Sequence, residues 1–423
     1  MKYIKLIIAL ILCTTSLSIT AQKYAGGDIS LLSKYEANGA IYYDNSGNAI
    51  SDVLTYFKEQ GWNAMRVRLF VDPNNASSTE KGQGVCQDLD YVIALGKKIK
   101  AKGLNFMLDF HYSDTWADPS KQWIPASWKS YTETKLDSAI YAYTKDALTK
   151  LVAADATPDF IQTCNEISYG MLWGSSSDSE STLKKCYTSS SSNWSYFTTL
   201  LKKASTACRE ICPKAKIIIH TERIPNTSVL TGIYDKMKTY GVDYDIIGLS
   251  YYPYFHGALT QVTAALTALE AKDYGKDIMF VEFGYPAQWK VNGTTYDYTG
   301  TYPYSENGQK TITDDLITIL NKHSEVTGLF WWWPEANEYG LKWGTNNVTS
   351  DWYNATLFDS NTGKAFSAVS SLKNFISNPT GISSVKTEQK NDIDKWYNIN
   401  GQELAKEPYI HGLFIHDGKK IMK

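Results

Sequence analysis

The stretch FIQTCNE, residues 160–166, and its later counterpart IMFVEFG, residues 278–284, each combine an apolar run with a glutamate near its end. Both runs are dense in β-branched and aromatic side chains, as is typical of strands buried on both faces of a parallel sheet. Glu166 and Glu282 are therefore predicted to lie at the C-terminal ends of two such strands. In (β/α)8 barrels, this end of the sheet carries the functional side chains.

Similar runs recur along the chain, and segments with helical periodicity separate them. The eight predicted strands cover residues 27–30, 64–70, 105–111, 160–166, 216–222, 244–252, 277–284 and 326–333. Ser51 is predicted to cap a helix that buries Leu54 and Phe57 and ends at Gly61. Strands that alternate with helices in this way predict an α/β fold, a (β/α)8 TIM barrel.

Long irregular segments follow several of these strands. They cover residues 112–131, 168–193, 285–309 and 334–363. Loops of such length normally build a binding surface or are disordered. Their content of Trp, Tyr and Asp favours a surface, so we expect long βα loops that line a groove.

The N-terminus has the pattern of a secretory signal peptide, predicted to cover residues 1–21 with cleavage after Ala21. Its apolar core, residues 6–12, is too short to span a membrane. Cys13 leaves lipid anchoring open as the less favoured alternative, since Leu12 is larger than the residue that usually precedes a lipidated cysteine. We expect an exported protein that is periplasmic, bound at the cell surface or extracellular.

The C-terminus differs in character from the rest of the chain. Residues 22–378 are predicted to form the barrel, and residues 379–423 a small β-rich extension with short apolar runs around turn signals. The extension could serve sorting or attachment. A main role in surface assembly through this tail is a further alternative.

Charge and cysteine content exclude several classes of function. Without Lys2 and Lys5 of the signal peptide, 40 basic residues face 44 acidic ones, and no basic stripe is present. Nucleic acids and anionic membranes are therefore not expected partners, and we expect a monomer. Cys86 and four later cysteines make an odd number, so no disulfide framework is predicted. Zinc, nucleotide-phosphate and serine-hydrolase motifs do not occur in the sequence.

Two carboxyl groups at one end of a barrel can cleave a glycosidic bond with retention of configuration if roughly 5 to 5.5 Å separates them. Glu166 is predicted to be the general acid/base and Glu282 the nucleophile. An ionised Glu282 would keep Glu166 protonated near neutral pH. A structural salt bridge, or a carboxylate that only binds substrate, is the alternative for either residue.

Side chains at other strand ends are predicted to support this pair. Arg66 and Arg68 share one face of a strand, so at least one should orient Glu282, and a structural ion pair is the alternative. Tyr252 is expected to hydrogen-bond the nucleophile and keep it ionised.

Histidines and tryptophans at strand ends are candidate sugar-binding residues. His111, His220 and His256 each close or follow a strand and are predicted to bind hydroxyl groups, although a lone histidine is more often structural. In the run WWW, residues 331–333, at least one indole should face the floor of the groove, and we assign that role to Trp332.

The run LDFHYSDTWADP, residues 108–119, followed by Gln122, resembles the third-strand signature of glycoside hydrolase family 53, the arabinogalactan endo-β-1,4-galactanases. The likeness covers approximately residues 25–375. Further matching segments are GDIS at 27–30, RVRL at 66–69, NE at 165–166, IGLSYYP at 247–253, HG at 256–257 and VE at 281–282.

The resemblance implies a retaining endo-β-1,4-galactanase that acts on the galactan side chains of pectin by double displacement. By this similarity Glu166 is the acid/base and Glu282 the nucleophile, and Asn165 contacts the sugar 2-hydroxyl. The residues that it assigns to neighbouring subsites are Asp109, His111, Asp114, Trp116 and Asp118, and Arg68 joins the candidate substrate-binding residues. No organic cofactor and no catalytic metal are expected.

Two strand ends depart from the family pattern, and one feature of the family lacks support. The eighth strand ends in WWWPE, residues 331–335, and the fifth in HTE, residues 220–222. Some bacterial members bind a structural calcium ion between the last two long loops, but residues 285–309 show no row of aspartates, so calcium is possible and unsupported. A mannanase or xylanase with the same glutamates, or a barrel that binds carbohydrate without turnover, are the competing functions.

Overall fold

The computed structural model describes residues 22–178, 184–188, 190–342 and 355–377, together with 396–398, 403, 404, 406, 408, 412–416 and 419–422. The chain divides into two compact units, with the boundary between residues 380 and 381. The predicted signal peptide, residues 1–21, lies outside the described residues. Within the described residues, no helix is both long enough and apolar enough to cross a lipid bilayer.

Eight parallel strands close into a barrel in the first unit. They are β1 Tyr24–Asp28, β4 Ala64–Leu69, β5 Asn105–Phe110, β6 Phe160–Thr163, β7 Lys216–Thr221, β8 Ile246–Tyr251, β9 Asp277–Phe283 and β10 Val326–Trp332. Each strand pairs with its neighbours in chain order, and β1 pairs with both β4 and β10. The predicted (β/α)8 TIM barrel is confirmed.

Helices connect the strands and surround the barrel. They are α1 Leu32–Ala37, α2 Val53–Glu59, α3 Ser78–Gly82, α4 Leu89–Ala101, α5 Glu133–Ala153, α6 Trp194–Ile211, α7 Thr227–Thr239, α8 Pro253–His256, α9 Leu259–Lys272, α10 Glu306–Leu320 and α11 Lys373–Ser377. In α2, Asp52 accepts a hydrogen bond from the backbone of Thr55, so the predicted cap at Ser51 is wrong by one residue. Asp52 takes this role because its extended backbone places the carboxylate over the first turn.

The remaining strands are short and antiparallel. A hairpin of β2 Tyr42–Tyr43 and β3 Ala49–Ile50 belongs to the first unit. The second unit contains β11 Trp396–Asn398, β12 Glu403–Leu404, β13 Leu413–His416 and β14 Lys419–Met422, which form a sheet in the order β12-β11-β13-β14. The C-terminal tail is therefore β-rich, as its turn signals predicted.

The interior of the barrel is divided along its axis. One apolar layer consists of buried strand residues, namely Ala64, Met107, Phe160, Ile218, Ile246, Met279, Val281 and Phe330. Two residues further along β4, β5, β6 and β7, the same inward face carries Arg66, Asp109, Gln162 and His220, all buried. The apolar layer closes the barrel, and the polar layer above it supports the site.

Close contact between β1 and β4 requires glycine at position 26, because a Cβ atom there would lie 1.7 Å from the carbonyl oxygen of Ala64. We expect Gly26→Ala to destabilise the barrel by about 3 kcal/mol or more, since backbone must move to remove the overlap. The matched control is Gly232→Ala in α7, where a Cβ would meet nothing within 4 Å. That change should stabilise the helix by about 0.5–1 kcal/mol. The denaturant midpoints of the two variants test these two predictions. Equal midpoints for Gly26→Ala and Gly232→Ala would contradict them.

Candidate active site

Glu166 and Glu282 both line one cavity of about 750 Å³. Glu166 follows β6 and Glu282 lies within β9, and neither residue is exposed on the outer surface of the barrel. The two carboxyl groups are close enough that the charge of Glu282 raises the pKa of Glu166. The two glutamates predicted from separate strands therefore meet in one site.

The backbone turns sharply to present Glu166. The predicted strand 160–166 ends at Thr163, so its last three residues were wrongly assigned to the strand. Cys164 and Glu166 have positive φ angles of 84° and 48°, in the region that side chains usually avoid. Strain of this kind persists where surrounding contacts fix it. Here Gln122 donates to the carbonyl of Asn165, and Asn165 donates to the carbonyl of Ala117.

A β-bulge in β9 turns Glu282 toward the cavity. Leu249 of β8 pairs with Phe280, but the next residue, Ser250, pairs with Glu282. The pairing of β9 with β10 shifts over the same stretch. Val281 packs in the apolar layer inside the barrel. Strict alternation after Val281 would turn Glu282 outward, so the extra residue allows both side chains to face inward.

Arg66 is the ionic centre of the site. Its Nη1 atom lies 2.8 Å from Asp28 Oδ2, and its Nη2 atom lies 2.7 Å from Asp109 Oδ2 and 3.0 Å from Glu282 Oε1. Burial alone would lower the pKa of Arg66, but the three carboxylates raise it, so the guanidinium stays charged. The prediction that one of the two arginines orients Glu282 is met by Arg66.

Arg68 lies beside the cavity in an aromatic enclosure. Its guanidinium carbon is 4.5 Å from the ring centre of Trp116 and 4.6 Å from that of Trp333. Its Nη1 atom contacts Asp28 Oδ1 at 3.0 Å. Arg68 also lines the cavity, so this guanidinium is available to a ligand from within a rigid frame.

Glu282 is held by an ion pair on one oxygen and by a hydrogen bond on the other. Tyr252 donates its phenolic hydrogen to Glu282 Oε2 over 2.7 Å, which is the contact predicted for this tyrosine. Burial raises the pKa of Glu282, while Arg66 and the Tyr252 hydrogen bond oppose that rise. Burial and the charge of Glu282 raise the pKa of Tyr252 well above its usual value, so the phenol keeps its proton.

The environment of Glu166 favours the protonated form of its carboxyl group. Burial, followed by the charges of Glu282 and Glu222, raises its pKa well above the ordinary value, and only a hydrogen bond from Ser250 opposes this. Ser250 Oγ donates to Glu166 Oε1 over 2.6 Å. Because that oxygen accepts from Ser250, the proton of the neutral acid resides on Oε2.

His220 lies next to Ser250, on the side of the site that holds Glu166. Burial, then the charge of Arg66, lowers the pKa of His220 well below its usual value, so the ring is neutral. Its Nδ1 atom faces two donors, Gln162 Nε2 at 3.0 Å and the backbone N–H of Glu166 at 3.4 Å, and one acceptor, Asn165 Oδ1 at 3.0 Å. Its Nε2 atom lies 2.8 Å from Ser250 Oγ. The tautomer with the hydrogen on Nε2 donates to Ser250 and is the one compatible with a serine that donates to Glu166.

Most of the candidate substrate-binding residues line the same cavity. These are Arg68, His111, Trp116, Asp118, Asn165, Tyr252, His256 and Trp332. Burial lowers the pKa of His256 to about 4, and its neutral Nδ1 accepts from the backbone N–H of Tyr252. Trp332 and Trp333 face the cavity, whereas Trp331 is buried and donates to the carbonyl of Ala355.

Three candidates lie behind the cavity wall instead. Asp109 is fully buried and contacts Arg66 and His111, and His220 is fully buried beside Ser250. Asp114 accepts hydrogen bonds from the backbone of Ala126 and from neighbouring loop residues. Protein donors already occupy the carboxylates of Asp109 and Asp114, and neither residue lines the cavity directly, so their assignment to neighbouring subsites stays a prediction.

Three residues of this site were not among the sequence-based candidates. Asp28 bridges Arg66 and Arg68, Ser250 contacts the predicted acid, and Glu222 lines the cavity. Ser250 could have been found, because it lies two residues before Tyr252 and so shares its face of β8. Asp28 lies within the predicted first strand, residues 27–30, and ends the observed strand β1.

The structural calcium ion considered in the sequence analysis would lie between the last two long loops. Across the described part of the chain, no group of three or more His, Cys, Asp or Glu side chains could hold a metal ion. Residues 343–354 of the last long loop lie outside the described residues, so structural calcium stays a prediction. The five cysteines from Cys86 to Cys212 are all free thiols.

Comparison with known proteins gives a consistent picture. The family model of glycosyl hydrolase family 53 matches residues 24–373 of this chain. An arabinogalactan endo-beta-1,4-galactanase of Cellvibrio japonicus is 33% identical over 355 residues, covering 79% of this chain and 86% of that protein. One of Thermothelomyces thermophilus is 31% identical over 364 residues, covering 83% and 98%. The solved family 53 catalytic domain of Ignisphaera aggregans superposes with a TM-score of 0.72 at 31% identity, covering 84% and 96%. This chain therefore belongs to glycosyl hydrolase family 53.

Proposed function

We propose that this glycoside hydrolase is a retaining endo-β-1,4-galactanase that cleaves internal β-1,4-galactosidic bonds in the galactan side chains of pectin. The relatives from Cellvibrio japonicus and Thermothelomyces thermophilus, each named an arabinogalactan endo-beta-1,4-galactanase, support the bond and the substrate. The third-strand run at residues 108–119 supports the same substrate class. Export of the protein would bring it to such a polysaccharide and is part of the proposal.

The observation that best supports this proposal is that Glu166 and Glu282 have different surroundings in the same cavity. Glu282 forms an ion pair with a charged guanidinium and accepts a hydrogen bond from a phenol, whereas Glu166 has a hydroxyl donor and two nearby carboxylates. The proton shared by such a pair resides on Glu166. A retaining glycosidase needs this division between an ionised nucleophile and a protonated acid.

The reaction follows in two steps. Glu282 Oε attacks the anomeric carbon while the glycosidic bond breaks, and Glu166 transfers its proton to the departing oxygen. Glu166 then takes a proton from water, whose oxygen attacks the anomeric carbon and releases Glu282. No step requires an organic cofactor or a catalytic metal. Arg66 and Tyr252 hold the attacking carboxylate in place through both steps.

Sugar binding is assigned to the aromatic and polar wall of the cavity. Trp332 offers an indole face to the C–H side of a pyranose. Asn165, whose Oδ1 accepts from Arg66, is positioned for a hydroxyl next to the anomeric carbon. His111 and Asp118 would contact hydroxyl groups further along the chain.

Product analysis on three polysaccharides tests the substrate. We expect short galacto-oligosaccharides from potato galactan and no products from mannan or xylan, because the aromatic wall is fixed in shape and would fit one sugar configuration. Proton NMR during the first minutes should show the β-anomer of the new reducing end. Release of products from mannan or xylan alone would identify the competing barrel hydrolases, and an α-anomer would refute retention.

A further inference from the structure

A third carboxylate, Glu222, lines the catalytic cavity immediately after β7. Its side chain is 7% exposed, so it is almost as buried as Glu282 at 5%. It belongs to the strand end HTE, residues 220–222, where this chain departs from the family pattern. The two-step reaction described above does not use it.

The two oxygens of Glu222 differ in their surroundings. Oε1 accepts a hydrogen bond from Ser168 Oγ and lies 3.1 Å from Arg223 Nε. Oε2 is buried and has no hydrogen-bond partner among the described residues. A buried carboxylate oxygen without a partner costs free energy, and active sites retain such groups when a ligand supplies the missing contact.

The frame around Glu222 holds Oε2 in a fixed position. Arg223 carries the ion pair to Oε1 and also packs its guanidinium over the ring of Tyr169 at 4.3 Å. Ser168, from the loop after β6, holds the same oxygen from the other side. A carboxylate fixed through one oxygen presents the other one without further ordering of the side chain.

Glu222 lies on the acid/base side of the cavity. It follows β7, which pairs with β6, the strand that Glu166 follows, and its Oε1 contacts Ser168, two residues after Glu166. Glu282 lies on β9, which β8 separates from β7. In the proposed reaction, the sugar that contacts Glu166 from beyond the breaking bond is the leaving group. A hydroxyl of that sugar would therefore lie on the same side of the cavity as Glu222.

We propose that Glu222 is a substrate-binding residue of the leaving-group subsite, where its Oε2 atom forms a hydrogen bond with a hydroxyl of the departing galactosyl unit. A sugar hydroxyl both donates and accepts, so the contact forms with either protonation state of Glu222. The inference rests on the proposed galactanase function and adds a recognition contact outside the catalytic pair.

Two substrates with different leaving groups test this assignment in the full-length enzyme. For Glu222→Ala, we expect kcat/KM on β-1,4-galactotetraose to fall about 10- to 100-fold, as for loss of a hydrogen bond to a charged group. On 4-nitrophenyl β-galactobioside, whose leaving group is not a sugar, kcat/KM should stay within about threefold. Glu222→Gln keeps a donor and an acceptor and should retain most activity on both substrates.

The controls separate this inference from the proposed function. Glu59→Ala, an exposed glutamate of α2, should leave both rates unchanged. Equal losses on both substrates would show that Glu222 does not contact the leaving group. A loss on galactotetraose that disappears at low pH, where Glu166 is protonated in both enzymes, would show that Glu222 acts through Glu166, and no loss on either substrate would show that it contacts no sugar, so each result would overturn the inference. A wild-type enzyme inactive on both galactosides would instead refute the galactanase function. Circular dichroism melting of Glu222→Ala and Glu222→Gln confirms that each variant is folded.

Discussion

Glu282→Ala is expected to hydrolyse galactan at least about 10⁴-fold more slowly than the wild-type enzyme, because the variant lacks the carboxylate that forms the covalent intermediate in the proposed reaction. The fold should survive the change. Arg66 keeps its contacts with Asp28 and Asp109, so its charge stays paired. Steady-state rates on galactan and binding of galactotetraose by calorimetry check both parts, with binding expected to be largely retained.

Azide provides a sharper test of the same role. The shortened side chain in Glu282→Ala leaves room for a small anion on the face of the sugar that Glu282 attacks. With an aryl β-galactobioside, azide should restore turnover and give the α-glycosyl azide, since one displacement replaces two. Glu335→Gln is the matched control, because Glu335 is fully buried and does not line the cavity. Undiminished hydrolysis by Glu282→Ala, or a β-azide product, would contradict the assignment.

The same experiment separates an enzyme from a binding protein built on a barrel. A protein that only binds carbohydrate would show no turnover in either form, and azide would not change this. Binding without turnover in the wild-type protein would therefore favour that alternative.

The sequence predicted the barrel because its strands are long apolar runs that recur with helices between them. Ala64 to Leu69 and Asn105 to Phe110 are strands almost as predicted. The hydrogen bond from Tyr252 to Glu282 could also be predicted, since both side chains end strands on the same edge of one sheet.

Local departures from regular geometry could not be predicted in this way. The bulge at Val281 and the positive φ angle of Glu166 decide where both carboxylates face, but a two-residue alternation contains no signal for either. The sequence also could not predict which of Arg66 and Arg68 contacts Glu282, because both side chains face inward from β4. Both contact Asp28, and the contact that distinguishes Arg66 is with Glu282, from a strand distant in sequence.

Glu166→Ala is expected to lower kcat/KM on galactan by about 10² to 10⁴, the usual contribution of a general acid. The loss should depend on the leaving group. A 2,4-dinitrophenolate departs without protonation, so the first step on 2,4-dinitrophenyl β-galactobioside should be nearly unaffected, and the glycosyl-enzyme should accumulate. A burst of dinitrophenolate in stopped-flow traces checks this, and azide should release the β-glycosyl azide from the accumulated intermediate. Equal losses with both leaving groups would reject the acid/base role.

The raised pKa of Glu166 adds a pH signature of known sign. Galactan hydrolysis requires the protonated acid, so wild-type kcat/KM should fall as pH rises through this raised pKa. Glu166→Gln should lack this basic limb in its residual hydrolysis of galactan, which no longer depends on a protonated Glu166. A basic limb that persists in the variant would assign the titration to another group.

The raised pKa of Glu166 should also make the stability of the wild-type protein depend on pH, and Glu166→Gln should lack this dependence. Between the ordinary and the raised pKa of Glu166, the folded protein binds more protons than the unfolded chain, so its stability falls as pH rises. Glu166→Gln removes this cost, because a neutral amide does not ionise beside Glu282 and Glu222. The variant should therefore melt at a higher temperature than the wild type at neutral pH, with the gap narrowing as pH falls toward the ordinary carboxyl range. A gap independent of pH would mean that Glu166 titrates normally, and the cavity would then lack the proton that the first chemical step needs.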